Sequence, residues 1–153
     1  MIKVIAVGRV KEKASRTLID EYLKRFRSVH KLEVIELSKS RYKDVEIDKI
    51  VKDESNRILN KINPRDYVIL LDLKGKDLDS VSLSNKISNH LDLGETLVFV
   101  IGGSHGVDDS VRKRSNYMWK LSNLTFPHQL VRILLLEQLY RGFMIQKGHP
   151  YHK

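Results

Sequence analysis

The chain has 153 residues, a length that suits one domain with a core of its own. It carries 28 Lys and Arg against 19 Asp and Glu, a net charge of +9, and no cysteine. The missing cysteines exclude a disulfide framework, thiol catalysis and thiolate metal sites and fit a cytoplasmic protein, while the basic excess points to a polyanionic partner such as nucleic acid.

Basic residues concentrate in Met1–Ile62 and Asp109–Lys153, and Asn63–Asp108 is net acidic. Ile2–Val7 reads as a first strand rather than a leader, and it ends at Gly8. A helix is predicted over about Ser15–Ser28, with Leu18, Ile19, Tyr22, Leu23 and Phe26 on one stripe. Leu32–Leu37 alternates like a strand and leads into a polar, basic connector, Ser38–Lys43. Helical spacing returns over about Val45–Ile62, where Ile47, Ile50, Val51, Ile58 and Ile62 share a face, and Asn63-Pro64 ends it.

Tyr67–Leu73 is an apolar run broken only by Asp72, as expected of a central strand in a parallel sheet. Lys74-Gly75-Lys76 is expected to turn the chain into a short helix, Leu83–Leu91, stopped at Asp92-Leu93-Gly94. Leu97–Ile101 is the fourth strand, followed by a polar segment, a fifth strand at Tyr117–Leu121 and a last helix over Pro127–Gln146. Strands alternating with helices predict a single α/β domain over residues 1–153, with a mostly parallel sheet flanked by helices. No run of eighteen apolar residues suggests a membrane span, so no membrane partner is expected.

Strand 1 lacks the G-x-G-x-x-G of dinucleotide folds, and no P-loop occurs. One glycine-rich loop, Gly102-Gly103-Ser104-His105-Gly106, follows the fourth strand. Alone it reads equally as a tight strand-to-helix turn or as a ligand cradle. His149 and His152 are separated by Pro150 with no carboxylate close by, which speaks against a metal site. His128 stands at a helix start, where it caps, packs or reacts. The last helix is apolar on nearly every side over Leu130–Leu139, and a homodimer is the simplest way to cover its second face.

Taken together, these pieces resemble a known family. The segments are Val98–Gly106 with its glycine turn, Leu121-Ser122-x-Leu124-Thr125-Phe126-Pro127-His128-Gln129-x-Val131-Arg132, Glu137-Gln138-x-Tyr140-Arg141, and Tyr151-His152-Lys153. They look like the small SPOUT-class ribosomal RNA methyltransferases, and among these the ones that methylate N3 of a pseudouridine in large-subunit (23S) ribosomal RNA. The match is strongest over the last sixty or so residues. Ala6-Val7-Gly8-Arg9, Glu21-Tyr22 and Leu71 through Gly75 extend it along the chain.

That resemblance implies S-adenosylmethionine as methyl donor, no metal, a homodimer and a C-terminal trefoil knot. It places the cofactor at Leu71, at Gly102 and over Leu121, Ser122, Asn123, Leu124, Thr125 and Phe126. Transfer then needs an acceptor nitrogen held in line with the methyl group and the removal of one proton. His152 and His128 are the titratable candidates, with Glu137 a third, and Tyr151 could stack on the base. Arg112, Lys113, Arg114, Arg132 and Arg141 could hold phosphates. A chain this small suggests that the large subunit or whole ribosome supplies much of the recognised surface. Two other classes stay open on the residues alone. One is a non-catalytic RNA-binding or ribosome-associated module; the other is an enzyme acting on a small anionic nucleotide cradled by the glycine turn.

Overall fold

A computed structural model describes Met1–Lys153. The elements in order are β1 (Ile2–Val7), α1 (Lys13–Phe26), β2 (Leu32–Leu37), α2 (Ile47–Leu59) and β3 (Tyr67–Asp77). They continue with α3 (Ser80–Asp92), β4 (Leu97–Ile101), α4 (Asp109–Arg114), β5 (Tyr117–Lys120) and α5 (His128–Gln146). The strands form one sheet in the order β2-β1-β4-β3-β5, and every neighbouring pair is parallel. No helix is long and apolar enough to cross a membrane.

Side chains of a strand alternate between the two faces of its sheet, so the continuous apolar runs of β1 and β4 supply two cores. Ile2, Val4 and Ala6 of β1 join Leu97, Phe99 and Ile101 of β4 beneath α1, α3 and α5. Their alternates Ile5, Val7, Val98 and Val100 lie with Ile58 of α2 and Val111 of α4 on the opposite face. All five residues of β4 are buried, as a central strand requires.

The last helix fills its own chain's core more than its apolar sequence suggests. Leu135, Leu136 and Leu139 are completely buried. α3 packs closely on α5, where Ser84 Oγ donates to the Gly142 carbonyl at 2.7 Å. On the other side Tyr22 and Phe26 of α1 meet Tyr140 edge-on. Of the apolar residues near its start, Leu130 is 41% exposed and Leu134 is half-buried.

Two local expectations change. Lys74-Gly75-Lys76 is part of β3 rather than a turn. Leu71 and Lys76 both register with Trp119, so the residues between them bulge out and β3 meets β5 a second time. Gly75 allows this approach, because a Cβ there would lie 2.6 Å from the Met118 carbonyl carbon. The polar segment after the glycine turn contains α4, capped by Asp108, whose carboxylate accepts from the Ser110 amide at 3.0 Å. Six residues with only Val111 buried are too short to display a helical period.

Candidate active site

Ligands of open parallel α/β sheets collect in the crevice beyond the carboxyl ends of the strands. Here the ends of β3, β4 and β5 carry three loops that enclose a cavity of about 410 Å³. Leu71 contributes from β3 and Gly102 from the glycine turn. Leu121, Ser122, Leu124, Thr125 and Phe126 contribute from the loop before α5. Asn123, expected with them, does not line the cavity. Leu73 and Leu124 stand 60% and 68% exposed beside it, apolar edges open to water. Ser122 fixes its loop by accepting a hydrogen bond from the Leu124 amide at 3.0 Å.

The glycine turn folds tightly on its own chain. Gly103 and Gly106 form an isolated bridge, and the Gly106 amide donates to the Gly103 carbonyl at 3.0 Å. A Cβ at Gly102 would lie 2.9 Å from Val107 Cγ1, and one at Gly103 would collide with Glu54. The absent side chains therefore make room for protein neighbours as well as leaving backbone bare at the cavity. Glu54 is buried under this turn; its Oε1 accepts from the Ser40 amide at 2.9 Å and its Oε2 has no partner.

A second cavity, of about 530 Å³, lies beside the first and shares Ser104 and His128 with it. The His128 imidazole is held below its ordinary value, first by burial and then by the charges of Lys39 and Arg132, with Glu54 opposing them. It is thus a neutral base at pH 7 on the rim between the two spaces.

Three of the four arginines expected on phosphates, Arg132, Arg114 and Arg141, are tied into the protein, and Arg112 is paired at the cavity wall. Arg132 is 2% exposed, with Nη1 on Glu36 at 3.0 Å and Nη2 on the Gly8 carbonyl at 3.1 Å. Burial pulls its guanidinium down against the pull of Glu36. Arg114 bolts the β3 entrance by donating to the carbonyls of Asn63 at 2.8 Å and Asp66 at 3.0 Å. Arg112 does reach the first cavity, where its Nε pairs with Asp72 at 3.0 Å. Lys113 is exposed on α4.

The terminal residues gather elsewhere. Arg141 donates twice to Glu137 Oε1, through Nη2 at 2.6 Å and Nε at 3.0 Å. Tyr151 Oη donates to the same oxygen at 3.2 Å, and burial, then the Glu137 charge, pushes its hydroxyl up to about 12. Tyr151 is therefore a donor and not a base at neutral pH. Arg141 Nη1 lies 3.2 Å from His152 Nδ1. Since guanidinium only donates, Nδ1 is the acceptor and the ring proton sits on Nε2. Glu137 stands roughly two and a half turns, or about 13 Å, along α5 from His128, so this cluster does not meet its own chain's cavity.

A family model described as "Predicted SPOUT methyltransferase" matches residues 1–152. The chain belongs to this family. It is 49% identical to the ribosomal RNA large subunit methyltransferase H of Clostridium botulinum (strain Alaska E43 / Type E3), over 99% of both chains. The protein of that name from Enterococcus faecalis is 46% identical over 99% of both, and the one from Caldicellulosiruptor saccharolyticus 44% over 100% of both. As a SPOUT methyltransferase the chain is an enzyme and not a non-catalytic binding module. Two residues at this SPOUT site escape a reading by motif. Asp72 looks like a flaw in an apolar strand, yet it lines the cavity wall with Arg112. Glu54 has a signal in hindsight: it falls on the buried stripe of α2 with Ile50 and Ile58, where an unpaired carboxylate is costly.

Proposed function

We propose that this enzyme transfers a methyl group from S-adenosylmethionine to N3 of a pseudouridine in 23S ribosomal RNA, in the cytoplasm and on an assembled subunit or ribosome. The observation that carries this reading is the meeting of Leu71, Gly102, Leu121, Ser122, Leu124, Thr125 and Phe126 around one cavity, in a chain matched end to end by ribosomal RNA methyltransferases. The cavity suits the methyl donor. Leu121, Leu124 and Phe126 offer apolar walls for an adenine ring, and bare backbone at Gly102 and Gly103 offers polar edges. When bound, the donor supplies an electrophilic methyl group on a sulfonium.

The protein's task is then to position the acceptor and take one proton. Neutral His128, on the rim of the methyl-donor cavity, is placed to accept the N3 proton. Tyr151 and His152, docked on Glu137 and Arg141 of α5, lie too far from the cavity of their own chain to act on it, so we assign them to the cavity of a second copy in a homodimer. The open start of α5, with Leu130 exposed and Leu134 half-buried, is the surface offered for that contact. Lys113 is left free for phosphate, and Arg141 serves the tail through Glu137 and His152. A trefoil threading of the C-terminal region belongs to the same reading. The test is transfer of labelled methyl to ribosomes that lack their native modifications, with the product mapped by mass spectrometry. Label on N3 of one pseudouridine is expected; label elsewhere, or none, overturns the assignment.

A further inference from the structure

The second cavity lies outside the proposed methyl-donor site, yet it opens onto the same rim. Val7, Gly8, Arg9 and Val10 beyond β1 form one wall, and Pro127–Leu130 with Arg132 and Ile133 of α5 form the other. Lys39, from the connector after β2, closes it; its stem lies over Gly8, where a Cβ would sit 3.3 Å from Lys39 Cε. Three features set it apart from an ordinary surface dent. Arg132 lines it while 98% withdrawn from solvent, and its Nε has no hydrogen-bond partner. Gln129 Oε1 is likewise buried and unpartnered. And α5, nineteen residues long, starts here with no side-chain cap and no acidic residue in its first turn, which leaves amide donors and a positive helix end facing the space.

The charges around the cavity favour an anion. Arg9, Lys39 and Arg132 are cationic, and His128 shares the wall. Of the carboxylates nearby, Glu36 is already held by Arg16 and Arg132, and Glu54 accepts from Ser40 beneath the glycine turn. Glu12 is the one acid that lines the space. Ser104 and His128 then connect it to the methyl-donor cavity.

We propose that this second cavity is the subsite for the target nucleotide. Its phosphate is held by Lys39, Arg9 and the start of α5, and its base reaches over the Ser104–His128 rim to the methyl donor. Lys39 and Arg9 are positioning residues: they hold the phosphate and touch no reacting atom. Gln129 offers a carboxamide to the polar edge of the base. The inference rests on the proposed RNA substrate, and the experiment keeps the two apart.

In the first arm, Lys39→Ala and Arg9→Ala are combined and methyl transfer to unmodified ribosomes is followed. KM for ribosomes is expected to rise about tenfold with kcat within about twofold, and the log–log salt slope to shrink by about 1. Calorimetry with S-adenosylmethionine should give the wild-type affinity. The second arm needs no catalysis. Uridine 5′-monophosphate is titrated into the labelled protein and amide resonances are followed by NMR. Shifts at Gly8, Lys39, Gln129 and Leu130 are expected, much reduced with uridine and lost in the double variant; inorganic phosphate alone should move the Lys39 amide but not that of Ser104. An unchanged KM and salt slope in the variant of an active enzyme overturns the subsite. So does a nucleotide response that is absent or indifferent to the two substitutions. If the wild type methylates no ribosomal RNA but the nucleotide shifts persist, the RNA assignment fails and the subsite stands.

Discussion

A methyl group at Gly103 would run into the buried Glu54 carboxylate and come within 3.2 Å of Val7 Cγ1. Neither neighbour can move freely, since Val7 belongs to the sheet core and Glu54 is anchored on Ser40. Gly103→Ala should therefore displace the turn, costing about 1–3 kcal/mol of stability and at least ~10-fold in S-adenosylmethionine affinity, equivalent to about 1.4 kcal/mol. Urea unfolding and calorimetry measure the two effects; wild-type affinity in a folded variant would show that the turn is not a wall of the site. Histidines set a second expectation at this scale. Burial, and then the N-terminal amine, lowers His30, which stacks on Phe143, and burial likewise lowers His128. Below their ordinary value of 6.5 the unfolded chain takes up protons that the folded chain refuses. Their contribution is thus intact above that pH and declines as pH falls toward the folded-state values. The urea midpoint should be lower at pH 5 than at pH 7, and His30→Phe should narrow the gap. An equal gap in that variant would assign the acid sensitivity to other groups.

Among the elements, β3 carries the least visible constraint. Its first half is a buried apolar strand, and its second half, Leu73–Asp77, is polar and carries no pattern. That half is a strand because β5 lies alongside, and Gly75 is what lets the two backbones touch. Gly75→Ala puts a carbon 2.6 Å from main-chain atoms of Met118, which cannot rotate away. A loss of about 3 kcal/mol is expected, seen as a fall in the urea midpoint with the slope unchanged. A variant as stable as wild type would mean that β3 and β5 part without penalty. α5 presents the opposite case. Its apolar surface is legible in the sequence, but what covers it is not: α1, α3 and the sheet take Leu135, Leu136 and Leu139. A charge placed at Leu135 would unfold the chain, so half-buried Leu134 is the position at which to probe association.

On the scale of the molecule, the tail and the proposed methyl-donor cavity lie apart in one chain. Tyr151 is held by Glu137, and the Arg141 guanidinium sits 4.8 Å from its ring centre. Deleting Tyr151–Lys153 should spare folding and S-adenosylmethionine binding while methyl transfer falls at least ~100-fold, the scale of losing a group that orients the acceptor. If the tail serves the cavity of a second copy, as proposed, mixing the truncated chain with a Gly103→Ala chain should restore part of the activity, because a mixed dimer would join an intact tail to an intact cavity. Near-wild-type transfer by the truncated chain would show that the tail takes no part in the site.

The sequence by itself determined the class of fold and most of its strands. Apolar runs that stop at Gly8 and Gly102 mark β1 and β4 to the residue, since a strand buried on both faces has no alternative use for them, and the alternation of Leu32–Leu37 marks the edge strand β2. The family pattern places Leu71, Gly102 and Leu121–Phe126 together before any coordinates, and only Asn123 falls outside. What lay beyond it is non-local. α4 is too short to show a period, and the end of β3 is defined by its partner. The fate of each arginine depends on which carboxylate or carbonyl the fold brings to it. Arg132 and Lys113 are both cationic side chains, yet one is locked on Glu36 and the Gly8 carbonyl and the other faces water. Tertiary structure decided that difference, because burying a guanidinium is tolerable only where the fold supplies its partners.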